Sequence, residues 1–247
     1  MSTKFKKAFF YALPILFWLL LWQISALIID HSFLLPGIPE TMVALWEIIA
    51  SKNFLKITIL TLLRVLCGLA SGICLGVILA ILSHKYYAVK AVVSPMVSVI
   101  KSTPVASFIV ILWILMNGSM LAIFIAVLMV MPIIWQNMID GYNSIDPQLS
   151  EVCEIFEFPA IKRFKILTFP ALKKFMIPAI ITSTGLAWKS EIAAEIIAYT
   201  KRSIGQQIND AKYNMETATV FAWTLIVIAL SIAIENGAKL LLRRYGK

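Results

Sequence analysis

The stretch ITILTLLRVLCGLASGICLGVILAIL, residues 57–82, decides the fold of this chain. Arg64 is its only charged residue, and the run is longer than the roughly 20 residues that a helix needs to cross a hydrocarbon core. A segment in lipid must satisfy its own backbone hydrogen bonds, and a long apolar run without two-residue alternation does so only as an α-helix. Residues 57–82 are therefore predicted to form a transmembrane helix.

The rest of the chain repeats this pattern. Apolar residues make up 60% of the sequence and charged residues only 14%, whereas soluble domains carry about 25% charged residues. The chain is therefore predicted to be an all-α membrane protein with about six transmembrane helices in a single domain, residues 1–247. The predicted spans are 9–29, 57–82, 91–116, 120–139, 177–198 and 218–241.

Three local features qualify these spans. The third is predicted to be broken at Pro95 and Pro104, because proline removes a helix hydrogen bond. The first resembles a signal peptide but is too long and has no small-residue cleavage site, so it is predicted to be retained. Between the first two spans, residues 39–50 are predicted to form a short amphipathic helix at the outer membrane interface.

The distribution of basic residues orients the helices, because cytoplasmic loops carry the excess of Lys and Arg. With a cytoplasmic N-terminus, the cytoplasmic side holds Lys4, Lys6, Lys7, Lys85, Lys90, Lys162, Arg163, Lys165, Lys173, Lys174, Lys239, Arg243, Arg244 and Lys247. The outer side holds Lys52, Lys56, Lys201, Arg202 and Lys212. Both termini are therefore predicted to be cytoplasmic. The net charge of +9 is interpreted as a topology signal and not as a nucleic-acid-binding surface.

Small residues indicate where helices pack. Gly68, Gly72 and Gly76 recur at every fourth position of the second span, a stripe that lets another helix approach closely. The cysteines lack the spacing of metal ligands, so neither a metal site nor a structural disulfide is expected. They are Cys67, Cys74 and Cys153.

The segment from Asp140 to Met176 is the one long polar stretch between predicted spans. Asp146-Pro147 predicts a helix start, because a cap residue and a proline are favoured there. Pro159 is predicted to end this helix, and a second amphipathic helix follows. The apolar residues of the two helices are Leu149, Val152, Cys153 and Phe156, then Ile161, Phe164, Ile166 and Leu167.

Two interpretations of this helix-turn-helix are open. Its apolar stripe can dock into the groove of a partner protein. Alternatively, the pair can lie flat on lipid, which the basic residues of the second helix favour. The five acidic residues of residues 140–176 would be repelled by anionic lipid, which favours docking.

The segment also resembles the coupling loop of bacterial ABC importer permeases. The family motif is E-A-A, three residues, G, nine residues, an apolar residue, a variable one and L-P. Glu151-Val152-Cys153 stands at E-A-A, Glu157 at the glycine and Phe169-Pro170 at L-P, with the spacing kept. A left-handed turn at the glycine position would favour glycine. The resemblance implies that the ATPase-coupling residues are Glu151, Val152, Cys153, Phe156, Glu157 and Pro170.

Two further elements carry the resemblance. Lys101-Ser102-Thr103-Pro104 is similar to the family's R-S-I-P element. The run Gly185 to Glu195, followed by Ser203-Ile204-Gly205, is similar to the A-W-x-x-x-v-A-A-E…G-L-G stretch of one subfamily. That subfamily serves nitrate, sulfonates, taurine and thiamine-precursor pyrimidines.

The resemblance implies a type I ABC importer permease fold and a location in the bacterial cytoplasmic membrane. It implies a path for a small organic or oxyanionic solute, formed by a permease homodimer with residues 140–176 as its coupling loop. The expected partners are two copies of an ATP-binding cassette subunit, an extracytoplasmic substrate-binding protein and membrane lipid.

The chain has no G-x-x-x-x-G-K-[ST] loop, the signature of a phosphate-binding nucleotide site. It is therefore not expected to be an enzyme or to hold a cofactor, and ATP and Mg²⁺ are expected on the partner ATPase. An ion-coupled secondary transporter is the alternative, but it would usually show internal repeats. A membrane-embedded enzyme fits less well, because the only histidines are His31 and His84, near span ends.

Charged residues inside spans are expensive when they face lipid. Lys101 is predicted to line the translocation path and to favour anionic substrates; alternatively it extends to the interface or pairs with Glu191. Arg64 is predicted to form a structural ion pair with Glu195. The full set of candidate path residues is Lys101, Pro104, Trp188, Lys189, Glu191 and Glu195.

Overall fold

The structure, a computed structural model, describes the backbone of residues 3–246 and the side chains of residues 13–242. All regular structure in that part is helical. The helices are α1 Thr3–Ile29, α2 Ile38–Ala50, α3 Phe54–Lys85, α4 Tyr87–Ser102, α5 Val105–Trp113, α6 Gly118–Asn143, α7 Pro147–Ile155, α8 Ala160–Arg163, α9 Phe169–Ile197, α10 Ile204–Tyr213 and α11 Thr217–Gly246. A π-helical turn, Phe164–Thr168, joins α8 to α9.

Helices α3, α6 and α11 coincide with predicted spans to within about five residues at each end, whereas α9 begins at Phe169 and not at the predicted residue 177. In the part described, α3, α6 and residues Thr217–Leu242 of α11 are long and apolar enough to cross a membrane. The pair α4 and α5 also meets this test, with a bend of 100° between the two helices. Helix α9 has 29 residues but carries Lys173, Lys174, Lys189, Glu191 and Glu195. The all-α membrane fold is confirmed.

The predicted break at Pro95 is wrong. Helix α4 continues through Pro95, because an interior proline removes one hydrogen bond without necessarily ending a helix. The chain breaks only at Thr103-Pro104, where Thr103 has an extended backbone with ψ 131°. Proline disfavours the helical region for the residue that precedes it. The break at Pro104 therefore stands, and α5 leaves at a sharp angle.

The glycine stripe of α3 packs α3 against α6 within one protomer. A Cβ atom at Gly72 would lie 2.7 Å from the Cβ of Val130, and one at Gly76 would lie 2.8 Å from the Cβ of Ile134. These glycines are buried, so the two helix backbones approach more closely than any side chain would allow. Together with α9 they form the centre of the bundle.

Helix α2 covers the end of the bundle at which α1 ends and α3 begins. Thr41, Ala44 and Ile48 are buried, whereas Met42 and Trp46 are exposed, as an interfacial helix requires. The Gln23 side chain on α1 accepts a hydrogen bond from the Ile38 N–H at 2.9 Å. This bond ties the start of α2 to α1.

Part of the charge pattern lies outside the described side chains. This concerns Lys4, Lys6, Lys7, Arg243, Arg244 and Lys247. The orientation of the termini therefore stays a prediction from the sequence.

Candidate functional site

Helices α7 and α8 form a helix-turn-helix between the end of α6 and the start of α9. Helix α7 begins as predicted, because the Asp146 carboxylate accepts a hydrogen bond from the Gln148 N–H at 2.8 Å. It ends at Ile155, before the predicted stop at Pro159. Pro159 instead precedes the first residue of α8.

The turn that ends α7 is built around Glu157. This residue adopts a left-handed conformation with φ 48°. The Phe158 N–H donates to the Cys153 carbonyl at 2.9 Å, and the Glu157 N–H donates to the Glu154 carbonyl at 3.0 Å. This is the Schellman arrangement, which normally has glycine in the left-handed position. Glu157 therefore takes the geometry that the family's glycine would allow, and this conformation costs a non-glycine residue about 1–2 kcal/mol.

Arg163 holds α8 against α7. Its Nη1 atom lies 3.1 Å from Oε1 of Glu154, and its Nη2 atom donates to the Ser150 hydroxyl at 2.6 Å. On the turn, the Lys162 Nζ atom lies 3.8 Å from the ring centroid of Phe158. These contacts make the two helices one unit.

One face of this unit is apolar and exposed. It consists of Leu149, Val152, Ile155 and Phe156, which we call the docking surface; Ile155 and Phe156 are 70% and 69% exposed. Glu151 lies beside it and is also exposed. The prediction that Cys153 belongs to this stripe is wrong, because Cys153 is buried. Pro170 lies at the start of α9, outside the docking surface.

A buried polar network lies at the opposite end of the bundle, where α9 ends. Nη1 of Arg64 lies 2.8 Å from Oε1 of Glu195. The Thr61 hydroxyl lies 2.9 Å from the same carboxylate oxygen, and Glu195 itself is fully buried. The structure thus brings together the two residues of the predicted ion pair.

The network also fixes the start of α10. The Gly205 N–H donates to Oε2 of Glu195 at 3.2 Å, and the Ile204 N–H approaches the Thr61 oxygen at 3.2 Å. These are among the first N–H groups of a helix, which have no partner within the helix itself. The Glu195 carboxylate is therefore compensated by a guanidinium and by a helix N-terminus.

The segment between α9 and α10 wraps around Arg64. The Arg64 Nη2 atom donates to the Lys201 carbonyl at 3.2 Å. Nearby, and outside the spans, a hydrogen bond to the Asp210 carboxylate raises the pKa of the Tyr199 phenol. The charged groups of Arg64 and Glu195 are thus both hydrogen-bonded within the protein. Their arrangement is that of a structural ion pair joining α3, α9 and the start of α10.

Three of the predicted path residues lie inside the protomer. Trp188, Glu191 and Glu195 are fully buried, and the Trp188 Nε1–H donates to the Val227 carbonyl of α11 at 3.2 Å. Neither carboxylate oxygen of Glu191 has a hydrogen-bond partner among the described residues. These three residues were predicted to line the path, but the close packing of α9 buries them. They do not line an open path in this conformation.

The other three candidate path residues, Lys101, Pro104 and Lys189, are exposed. Lys101 lies in a recess of about 320 Å³ at the end of α4. The recess is lined by Ser94, Val97, Ser98, Ser102, Trp135 and Gln136. Among the described side chains Lys101 forms no ion pair, and the alternative pairing with Glu191 is absent from this part of the chain.

Among the residues that the structure describes, no three His, Cys, Asp or Glu side chains lie close enough together to hold a metal ion.

The sequence from residue 72 to residue 247 matches the family model described as the binding-protein-dependent transport system inner membrane component. The chain belongs to this family. The docking surface and most of the buried network lie in the matched part, and Thr61 and Arg64 precede it. The chain is thus the membrane permease component of an ABC importer, and the ATPase activity resides in a partner subunit.

Individual relatives agree with this assignment. The permease is 23% identical over 227 residues to an aliphatic sulfonates transport permease protein, SsuC, of Bacillus subtilis strain 168. The match covers 91% of this chain and 82% of the relative.

Solved structures show the same fold. The crystal structure of an amino acid ABC transporter with histidines has a TM-score of 0.64 at 16% identity, covering 78% of this chain and 92% of that chain. An inward-facing structure of the MetNI methionine ABC transporter has a TM-score of 0.55 at 16% identity, covering 87% and 96% respectively. The type I importer permease fold is therefore confirmed.

Sequence reasoning missed several residues of both sites. Thr61 lies one helical turn before Arg64 on α3, and that spacing is the signal that could have placed it on the same face. Gly205 stands in the quoted motif, but its contact with Glu195 was not foreseen. The tie from Arg163 to Ser150 depends on how the turn folds and carries no sequence signal.

Proposed function

We propose that two copies of this permease form the translocation path for a small organic anion and are driven by two ATP-binding cassette subunits. An extracytoplasmic binding protein delivers the solute. Both termini lie in the cytoplasm of a bacterial cell, and ATP and Mg²⁺ bind the partner ATPase. The docking surface of α7 is the contact with that ATPase.

The observation that carries this proposal is the exposure of Ile155 and Phe156 on a unit braced by Arg163. Large apolar side chains on a rigid helix face fit the groove of a partner protein. The lipid alternative is disfavoured because the exposed Glu151 lies beside this face, and the cytoplasmic leaflet is negatively charged.

The connection of this unit to α9 suggests how movement is transmitted. Helix α8, the π-helical turn and α9 follow one another without a loop, from Ala160 to Ile197. A displacement of the docking surface by the ATPase would therefore act directly on α9, which packs along α6 in the centre of the bundle.

The recess around Lys101 supports an anionic solute. Ser94, Ser98, Lys101 and Ser102 form a polar stripe on α4 and line one recess. Polar and charged groups at membrane depth usually face the bundle interior or a water-filled cavity. Among the described residues that line the recess, Lys101 is the only cation, and its ammonium would attract a solute of negative charge. The named substrate of the relative SsuC, an aliphatic sulfonate, has such a charge.

The proposal is tested by substituting the docking surface. The variant Ile155→Asp/Phe156→Asp should fold but lose its ATP-binding subunit, because neither side chain is buried. The control is Leu34→Asp, whose side chain is 63% exposed at the opposite end of the bundle. The measurement is the amount of ATP-binding subunit that co-purifies with each tagged permease. Equal retention of the ATP-binding subunit by the native permease and both variants would refute the proposal.

A further inference from the structure

The junction between α8 and α9 is a π-helical turn and not a loop. The Phe169 N–H donates to the Phe164 carbonyl, five residues earlier. A turn of this kind holds one residue more than an α-helical turn and is frequent at functional sites. It stands between the unit that carries the docking surface and the helix at the centre of the bundle.

The position of Pro170, directly after the turn, gives a steric reason for it. In a continuous α-helix the residue at position 170 would bond to the Ile166 carbonyl, but proline has no N–H. Its ring would also clash with that carbonyl. A wider turn immediately before Pro170 removes both conflicts and lets the helix continue.

The extra residue fixes the direction in which the docking surface points. In an α-helix each residue advances the chain by about 100° around the axis and about 1.5 Å along it. If residues 164–168 formed a regular α-helix, α8 would turn by that angle relative to α9. Because Arg163 ties α8 to Glu154 and Ser150 of α7, the docking surface would turn with it.

We propose that Pro170 is a positioning residue, which maintains the π-helical turn and thereby aims the docking surface at the ATPase. The inference rests on the proposed function of that surface. On this proposal Pro170 acts through the helix register and not through a contact with the partner.

Four variants of the assembled importer test this inference. They are Pro170→Ala, deletion of Lys165, the two changes combined, and Lys165→Ala as control for the lost side chain. Deletion of the exposed Lys165 removes the extra residue, so the combined variant can form a regular α-helix with the native direction of α8. Each is measured for retained ATP-binding subunit, for the rate of ATP hydrolysis by the complex and for the temperature of unfolding.

Pro170→Ala and deletion of Lys165 should each cause loss of retained subunit and of hydrolysis, whereas the combined variant should recover the level of the control Lys165→Ala. A proline with only a structural role would not be rescued by a deletion, so full rescue supports the register. The inference is overturned if Pro170→Ala behaves as the native protein or if the combined variant is no better than the poorer single one.

The variant Ile155→Asp/Phe156→Asp, measured alongside, separates the two proposals. If that variant keeps its ATP-binding subunit, the proposed function fails. If it loses the subunit while the Pro170 series shows no rescue, only the register inference fails.

Discussion

The Glu195 carboxylate accepts a hydrogen bond from the Gly205 N–H at 3.2 Å. The two residues pack so closely that no side chain fits at position 205. A Cβ atom on Gly205 would lie 2.6 Å from both the Glu195 carbonyl carbon and the Ile196 nitrogen. This contact gives a physical reason for a glutamate at the end of α9 followed by a glycine at the start of α10. The pair joins the central helix of the permease to the helix that follows it.

The first prediction concerns this contact. Gly205→Ala should destabilise the permease by about 1–3 kcal/mol or more, because the added methyl meets backbone atoms that cannot move aside. The control is Gly37→Ala, where a Cβ would make only ordinary contacts at 3.5 Å. Thermal unfolding in detergent measures both. Equal unfolding temperatures for the two variants would contradict the contact.

The second prediction concerns the buried ion pair. Arg64→Ala or Glu195→Ala should each lower the free energy of unfolding by about 3–5 kcal/mol, because each leaves a buried charge without its partner. The double variant should lose less than the sum of the single losses. Lys56→Ala, which removes an exposed cation from the same helix, is the control. If the losses of the two single variants add up strictly to the loss of the double variant, the two groups do not interact.

The third prediction concerns the packing of α3 on α6. Gly72→Ala should destabilise the permease by about 1–3 kcal/mol, because the new methyl would overlap Val130. Gly237→Ala provides a matched control, since that glycine is also in a long helix and its added Cβ would meet no described neighbouring atom outside its own helix backbone within 4 Å. It should be neutral or stabilising by up to about 1 kcal/mol. A stabilising Gly72→Ala would show that the helices are not in close contact.

The fourth prediction concerns the turn after α7. Glu157→Gly should stabilise the turn by about 1 kcal/mol, because glycine adopts the left-handed conformation without steric penalty. Glu157→Ala removes the same charge but keeps the Cβ atom, and should give no such gain. The stability of the turn is measured by hydrogen exchange of the backbone amides at positions 157 and 158. Equal protection in the two variants would mean that φ at residue 157 is not strained.

The fifth prediction concerns Lys101 and follows from the proposed path. Lys101→Gln should reduce uptake of a small sulfonate by roughly tenfold, equivalent to about 1.4 kcal/mol, whereas Lys101→Arg should retain uptake. Lys56→Gln removes an exposed cation outside the recess and serves as control. Uptake by proteoliposomes that contain the complete importer is the measurement. Undiminished sulfonate uptake by Lys101→Gln would remove Lys101 from the path.

Features that depend on hydrophobicity and spacing were predictable from the sequence. The apolar runs located the long helices, and depth along α3 and α9 placed Arg64 near Glu195. Asp146-Pro147 located the start of α7, because capping depends on adjacent residues.

Features that depend on how helices pack were not predictable in this way. Pro95 was expected to break a helix, but an interior proline only removes one hydrogen bond. Spacing places Cys153 on the apolar stripe, but spacing alone does not show that this position is buried. The π-helical turn before Pro170 has no signature in hydrophobic periodicity. Trp188 and Glu191 were assigned to a path, although the packing of α9 buries them.

The contact between the docking surface and the ATP-binding subunit can be tested most directly by photo-cross-linking. A photoreactive residue is placed at Ile155 in the native membrane, and another at Leu34 as control. Position 155 should yield a covalent product containing an ATP-binding subunit with a G-x-x-x-x-G-K-[ST] loop, and position 34 should not. Products from Ile155 that contain only lipid, or no ATP-binding subunit, would contradict this contact.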